Sequence, residues 1–405
     1  MTGFDQVIDR AGTSSLKHDA KKAYFGTEDI TPLWVADMDF SAPDCVAQAL
    51  VKRAQHPLYG YTLYPDSLFS SMQKWFQSRH NWSIDRKSIL MCPGVVPSLH
   101  AIIEALTNEG DGVIIQPPIY PPFFTAVTQT KRRLIENPLT IKRGVYTVDL
   151  DHLEHCAASD AKLLLLCSPH NPTGRVWQKT ELEAMLDIAR RYDLTVVSDE
   201  IHADLIFPSY QHIPLNTLTD DVAIVTAVSP SKTFNIAGLG LSCLVSNRSD
   251  QRQAIKQVFD NGHVHASNPF SITAFEAAYR DGGDWLDRLM IYLDETRRQV
   301  GSFFGQHASN IKVMPSQGTY LLWLDCRDMN LTDDELKSFF ITQAKVGMNP
   351  GVSFGQAGTG FMRMNIAAPR AIIMAACQRI CQPFYVDTET QCRSKRNTVA
   401  VGRRI

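Results

Sequence analysis

Leu163-Leu-Leu-Leu-Cys-Ser-Pro-His-Asn-Pro-Thr-Gly174 runs four leucines and a cysteine straight into a turn made of two prolines, an asparagine and a glycine. A short, near-continuous apolar run bounded by turn residues reads as a strand buried on both faces. Similar runs lie at Val113–Ile115, Thr195–Val197, Val222–Val228 and Leu241–Val245, and an amphipathic helix is predicted over Lys179–Arg191. Strands alternating with helices predict an α/β fold, with a mostly parallel central sheet between flanking helices.

Working outward, Ser41 and Pro43 read as a helix start, with Val46, Ala49, Leu50 and Ala54 on its inner face. The stretch before it, up to Leu33, reads as irregular. Asp66–His80 reads as a second helix. Pro93-Gly94 leads into a third, with Leu99, Ile102, Ile103 and Leu106 at helical spacing. After about Gly283 the pattern changes. A long helix is predicted over Trp285–Phe304, strands near Ile311–Met314, Tyr320–Leu324 and Phe361–Ile366, and helices at Asp333–Ala344 and Pro369–Ile380. The expected division is a large domain over 45–284 and a smaller α+β domain from 1–44 with 285–384. Residues 385–405 form a polar tail with Arg393, Lys395, Arg396, Arg403 and Arg404 and no apolar periodicity, expected to be disordered.

Lysine plus arginine total 40 and aspartate plus glutamate 42, so there is no overall charge to attract nucleic acid or an anionic membrane. No apolar run approaches the roughly 18 residues of a membrane span. The first ten residues, MTGFDQVIDR, lack the apolar core of a secretory signal. The 9 cysteines are odd in number, scattered through apolar segments and without a CxxC pair. They read as reduced, buried thiols of a cytoplasmic protein, with no metal site.

Six motifs carry chemistry. Lys232, in Val228-Ser-Pro-Ser-Lys-Thr-Phe-Asn235, follows a predicted strand at the edge where α/β sheets bind ligands. There it can form an imine with an aldehyde cofactor, and Ser229 and Ser231 can bond a phosphate. Asp199 follows the strand in Val197-Ser-Asp-Glu-Ile-His202 and can support a protonated ring nitrogen, while His202 can reach a ring oxygen. Asn171, fixed between two prolines, can bond the same oxygen. Gly94, Val95 and Val96 open a helix whose N-terminus suits a phosphate. Tyr120, held by Pro117-Pro118 and Pro121-Pro122, can stack on a ring. Arg363 sits in an otherwise apolar strand and can take a substrate carboxylate in its fork. Taken one at a time, each has an ordinary alternative: a loop lysine, a capping aspartate, a core tyrosine, an internal salt bridge. Their joint order along one chain carries the reading.

That ordered set resembles the fold-type I pyridoxal-5′-phosphate (PLP) enzymes, the aspartate-aminotransferase superfamily. Within it the chain is most similar to the MalY/PatB group of cystathionine β-lyases, or cysteine-S-conjugate lyases. The resemblance covers nearly all of residues 4–384. It is carried by Leu33-Trp-Val-Ala-Asp-Met-Asp-Phe40, Tyr59-Gly-Tyr-Thr62, Pro93-Gly-Val-Val-Pro97, the Asn171 turn, Ser198-Asp-Glu-Ile-His-Ala-Asp204 and Ser231-Lys-Thr-Phe-Asn-Ile-Ala-Gly-Leu239. It implies a PLP cofactor held by Lys232 as a Schiff base, and a sulfur-containing L-amino acid cleaved to pyruvate and ammonia. It also implies a substrate pocket lined by Ala36, Asn171 and Arg363, and a homodimer in which Tyr61 reaches the phosphate of the partner's site. Aminotransferases carry an arginine eight residues after the lysine; here that position is Gly240. An aminotransferase of the same fold remains the main alternative. A PLP-binding regulator is the other, but it needs a helix-turn-helix domain, and only about forty residues precede the first clear helix.

Overall fold

The computed structural model describes residues 3–384. The basic tail and the expectation of its disorder lie outside the described residues. Seven strands form the central sheet: β1 (Ile89–Cys92), β2 (Gly112–Ile115), β3 (Arg133–Glu136), β4 (Ala161–Cys167), β5 (Thr195–Asp199), β6 (Ile224–Val228) and β7 (Ser242–Val245). Their spatial order is β1-β7-β6-β5-β4-β2-β3. β2 to β6 run parallel to their neighbours, whereas β7 is antiparallel to both β6 and β1. The sheet is therefore mixed and mostly parallel, as expected. β1, β2, β4, β5 and β6 consequently end at one edge, and each opens there into a loop carrying one of the predicted motifs. The strand order reverses between β4 and β2, leaving room for a ligand at the carboxyl edge.

Helices cover both faces, burying strands such as β2 and β6 completely. Asp66–His80 and Lys179–Arg191 have the predicted limits. The latter starts with a capping box between Gln178 and Glu181, which satisfies free N–H groups of its first turn. On the helix Asp44–Ala54, Val46 is buried and Ala49 and Leu50 are half-buried, but Ala54 is exposed. The polar N-terminal stretch is not wholly irregular: it folds into short helices at Leu16–Asp19 and Lys21–Phe25, the first capped by Ser15.

Beyond the long helix Gly283–His307, a second, antiparallel sheet combines β8 (Lys312–Val313), β9 (Leu321–Asp325), β10 (Asn349–Pro350) and β11 (Phe361–Asn365) in the order β8-β9-β11-β10. The helix expected over Asp333–Ala344 is α-helical only over Asp333–Ser338 and then widens into a π turn at Phe339–Gln343. Thr31–Pro32 pairs with Val346–Gly347, which joins the N-terminal segment to this unit. Among the described residues, no helix is long and apolar enough to cross a membrane, and no cluster of histidine, cysteine, aspartate or glutamate could hold a metal ion.

Candidate active site

The carboxyl edge of the central sheet encloses a cavity of about 260 Å³. Gly94, Val95, Val96, Tyr120, Asn171, Asp199, His202, Ser229, Ser231 and Lys232 all line it, as does Ala36 from the N-terminal segment. Asp199 is the last residue of β5, in register with Cys167 of β4 and Ala227 of β6, so strand pairing fixes its depth.

The N-terminal segment is locked over the cavity by polar contacts. Asn235 donates to the carbonyls of Met38 and Phe40 at 2.9 and 2.8 Å, and accepts from the Met38 N–H at 3.0 Å. Asn365 donates to the carbonyls of Val35 and Asp37, each at 2.6 Å. Beneath them lies a charge cluster in which Asp39 meets Arg10 at 2.6 Å, buried Lys17 at 2.9 Å and His18 at 3.1 Å. Burial alone would push the Asp39 carboxyl up, but the contacts with His18, Lys17 and Arg10 hold it well below its ordinary range. The result is a fixed Ala36 carbonyl, which accepts from Lys232 Nζ at 2.7 Å and from the Tyr320 hydroxyl at 3.0 Å. Sequence reasoning missed Tyr320 and Asn235. Asn235 lies within a quoted motif and was open to discovery; Tyr320, in an apolar run, gave no signal.

The buried titratable groups are displaced in characteristic directions. Burial, reinforced by nearby Arg363, lowers the Lys232 amine to about 8. Burial raises the Asp199 carboxyl to about 7; the Ile201 N–H, 3.2 Å away, works against this, and neighbouring Glu200 adds to it. Burial and the cations Lys232 and Arg363 lower His202 to about 3, so its ring is neutral. Its Nδ1 is buried and has no hydrogen-bond partner among the described residues.

Arg363 stands directly behind Asn171. It donates to Asn171 Oδ1 at 3.0 Å, to the Trp34 carbonyl at 2.9 Å and to Asn349 Oδ1 at 2.8 Å, with its guanidinium 4.8 Å from the Phe354 ring. All three acceptors are uncharged, and its buried Nε has no acceptor among the described residues. Among the described residues no carboxylate forms an ion pair with it, which removes the internal salt bridge as an explanation. A buried guanidinium so placed suits an incoming carboxylate.

At the other end, the helix Val95–Leu106 starts at the cavity wall with no side-chain cap at Gly94. Its first-turn N–H groups have no intrahelical acceptor, which makes an anion site. The Ser229 hydroxyl donates to the Leu241 carbonyl at 2.8 Å and accepts from the Ser231 N–H, so it is partly committed to the turn. Gly240 also lines the cavity, at φ +53°. That left-handed conformation is one that glycine adopts without steric cost.

The donor set fits PLP: a carboxylate without a cation in hydrogen-bond contact for a ring nitrogen, an amine for an aldehyde, an unpaired imidazole nitrogen, and a bare helix start for a phosphate. Of the predicted residues, Arg363 stands behind the cavity wall and Tyr61 is not brought to the cavity at all. It is fully exposed, on a segment where Leu58, Tyr59 and Leu63 are exposed too.

Comparison with known proteins agrees with this geometry. Residues 28–380 match the family model "Aminotransferase class I and II". The cystathionine beta-lyase PatB of Bacillus subtilis (strain 168) is 38% identical over 380 residues, which cover 93% of this chain and 98% of PatB. Protein MalY of Escherichia coli (strain K12) is 34% identical over 375 residues, 92% of this chain and 96% of MalY. The crystal structure of cystalysin from Treponema denticola, which contains a pyridoxal 5′-phosphate cofactor, superposes with a TM-score of 0.91 at 36% identity, covering 94% of this chain and 98% of that one. The chain belongs to the family of class I and II aminotransferases.

Proposed function

We propose that this protein is a PLP-dependent carbon–sulfur β-lyase that cleaves cystathionine or a related cysteine-S-conjugate to a thiol, pyruvate and ammonia. The observation that carries the reading is the cavity itself, where half-buried Lys232 and buried Asp199 and Asn171 converge with Arg363 immediately behind. The similarity to PatB supports the choice of reaction.

Lys232 would hold the cofactor's aldehyde carbon and Asp199 its ring nitrogen. Asn171 and His202 would face the ring oxygen, and Tyr120 would lie against the ring. Ser231, Ser229 and the N–H groups of Gly94, Val95 and Val96 would bind the phosphate. PLP bound in this way supplies an electron sink for negative charge at the substrate's Cα. Arg363 binds the α-carboxylate, oriented by Asn171 and Asn349. Released when the substrate's amine takes its place on that aldehyde carbon, Lys232, lowered towards neutrality by burial, would be free to take the Cα proton. The Cβ–S bond breaks with its electron pair going to sulfur, and Lys232 returns the proton to that sulfur. The remaining carbon skeleton leaves and hydrolyses to pyruvate and ammonia. Ala36 and Tyr320 fix the resting place of the lysine amine.

The working unit in this reading is a homodimer with shared sites. The exposed Tyr61 loop supports it, because an exposed cluster of large apolar side chains is characteristic of an interface. Incubating the purified protein with cystathionine and no keto acid tests the reaction. Stoichiometric pyruvate and ammonia are expected. Turnover that appears only when a keto-acid acceptor is added would make the protein an aminotransferase instead.

A further inference from the structure

The turn 199–204 faces two ways. Asp199 and His202 line the cavity, whereas Glu200 and Asp204 are bonded into the scaffold behind it. Glu200 accepts from Ser198 Oγ at 2.8 Å, His212 Nε2 at 2.8 Å and the Leu215 N–H at 2.9 Å, which anchors the first half of the turn. The side chain of Asp204 is buried and accepts three hydrogen bonds. Trp75 Nε1 at 2.9 Å and His80 Nε2 at 2.7 Å come from the helix Asp66–His80, and Thr233 Oγ1 at 3.0 Å comes from the loop after β6. Burial alone would raise its carboxyl, yet the contacts with His80, Trp75 and Thr233 bring it below its ordinary value, so it carries charge.

Thr233 is the residue next to Lys232. The lysine's loop is shaped by its own backbone bonds, Phe234 N–H to the Pro230 carbonyl and Ile236 N–H to the Ser231 carbonyl. Asn235 ties it to the N-terminal segment. Among the described residues, Thr233 to Asp204 is the hydrogen bond that ties this loop to the turn bearing Asp199 and His202. A hydrogen bond to a buried charge is among the stronger ones a protein makes.

We propose that Asp204 is a positioning residue for Lys232: through Thr233 it couples the lysine's loop to the turn of Asp199 and His202 and so fixes the spacing of amine and carboxylate across the cavity. The proposal rests on the roles of Lys232 and Asp199 given above. It assigns work to Asp204, a residue of the Ser198–Asp204 motif that does not line the cavity.

Thr233→Val removes the hydroxyl and keeps the shape, whereas Thr233→Ser keeps the hydroxyl. Two readouts are needed: kcat per bound cofactor with KM in the holoenzyme, and amide hydrogen exchange at 231–236 in the cofactor-free protein. For Thr233→Val, kcat should fall on the order of tenfold with KM unchanged, and local exchange should quicken by a similar factor. Thr233→Ser should restore both, and Asp204→Asn, if it folds, should resemble the valine variant. Wild-type kcat per bound cofactor in Thr233→Val overturns the proposal, whether exchange is unchanged or faster and whatever the melting temperature does. Lys232→Ala separates the two levels. If it stays active, the role of Lys232 is wrong; if it is dead while Thr233→Val matches wild type, only the coupling is wrong.

Discussion

Replacing Asp199 with asparagine should stabilise the cofactor-free protein at pH 8 while crippling the loaded enzyme. Asp199 is only 4% exposed and accepts one hydrogen bond, from the Ile201 N–H. Burial raises its carboxyl from 3.8 to about 7. A carboxyl raised in the folded state stabilises the fold while it is protonated, and that contribution is lost as pH climbs from the unfolded to the folded value. At 1.36 kcal/mol per unit, the loss between about pH 4 and pH 8 is about 4 kcal/mol. Asparagine has nearly the same shape, can keep the bond from Ile201 and does not titrate. Every other ionisable group is common to both proteins and cancels in the comparison. Urea unfolding of the two apoproteins should therefore show asparagine ahead by up to about 4 kcal/mol at pH 8, with the gap largely closed near pH 4. With PLP bound the order of merit reverses. A neutral amide cannot support a protonated ring nitrogen, and turnover per bound cofactor should fall on the order of a hundredfold. A gap that does not change with pH would refute the uncompensated burial of this carboxyl, and unchanged turnover would refute its role at the ring nitrogen.

Lys232→Ala should lose all turnover and retain no PLP on the chain after borohydride reduction and denaturation; retention would show another attachment point. In the wild-type apoprotein, covalent capture of PLP should quicken as pH rises, with a midpoint near 8, because only the neutral amine attacks and burial holds Lys232 there. Arg363→Lys forfeits the fork towards a carboxylate and leaves Asn171 and Asn349 short of a donor. kcat/KM for cystathionine should drop on the order of a hundredfold, and a change of less than threefold would count against carboxylate binding. Mixing Tyr61→Phe subunits with Lys232→Ala subunits should partly restore the activity that either homodimer lacks, since trans action leaves one mixed site intact; no recovery despite proven exchange, or an active monomer by sedimentation, rejects the shared site.

The parts of the fold that were legible in the sequence are those whose physics is local. β4, β5 and β6 are buried on both faces, so their near-continuous apolar runs declare them. The edge strands β1 and β3 did not stand out, because Arg133–Glu136 exposes its first and last residues and Ile89–Cys92 is only half-buried over most of its length. Helices at Ser249–Asn261 and Pro269–Asp281 likewise escaped notice, although Asn268 capping Pro269 was a readable start. The cavity side chains were legible because each motif sits where a strand ends, and five strand ends share one edge. Their supports were not. Lys17 looks like any polar N-terminal lysine, yet it is completely buried beneath Asp39. Thr233 and Asp204 are 29 residues apart and meet only once β5 and β6 pair.

These supports bear on why the site can exist at all. Among the described residues, Asp199 has no cation in hydrogen-bond contact, Arg363 no carboxylate, and His202 Nδ1 no hydrogen-bond partner. Each such group costs stability when buried. Neutral neighbours satisfy Asp199 and Arg363 only in part: the Ile201 N–H donates to Asp199, and Asn171 and Asn349 accept from Arg363, while Asn235 and Asn365 are committed to the N-terminal segment. The missing partners are also of different kinds: a cationic ring nitrogen for Asp199, an anionic carboxylate for Arg363, and a polar oxygen for the imidazole. No single simple ion supplies all three, whereas one cofactor with an amino acid bound to it does. Stability withheld in the apoprotein is then returned when the ligands bind, so cofactor loading should raise this protein's resistance to unfolding.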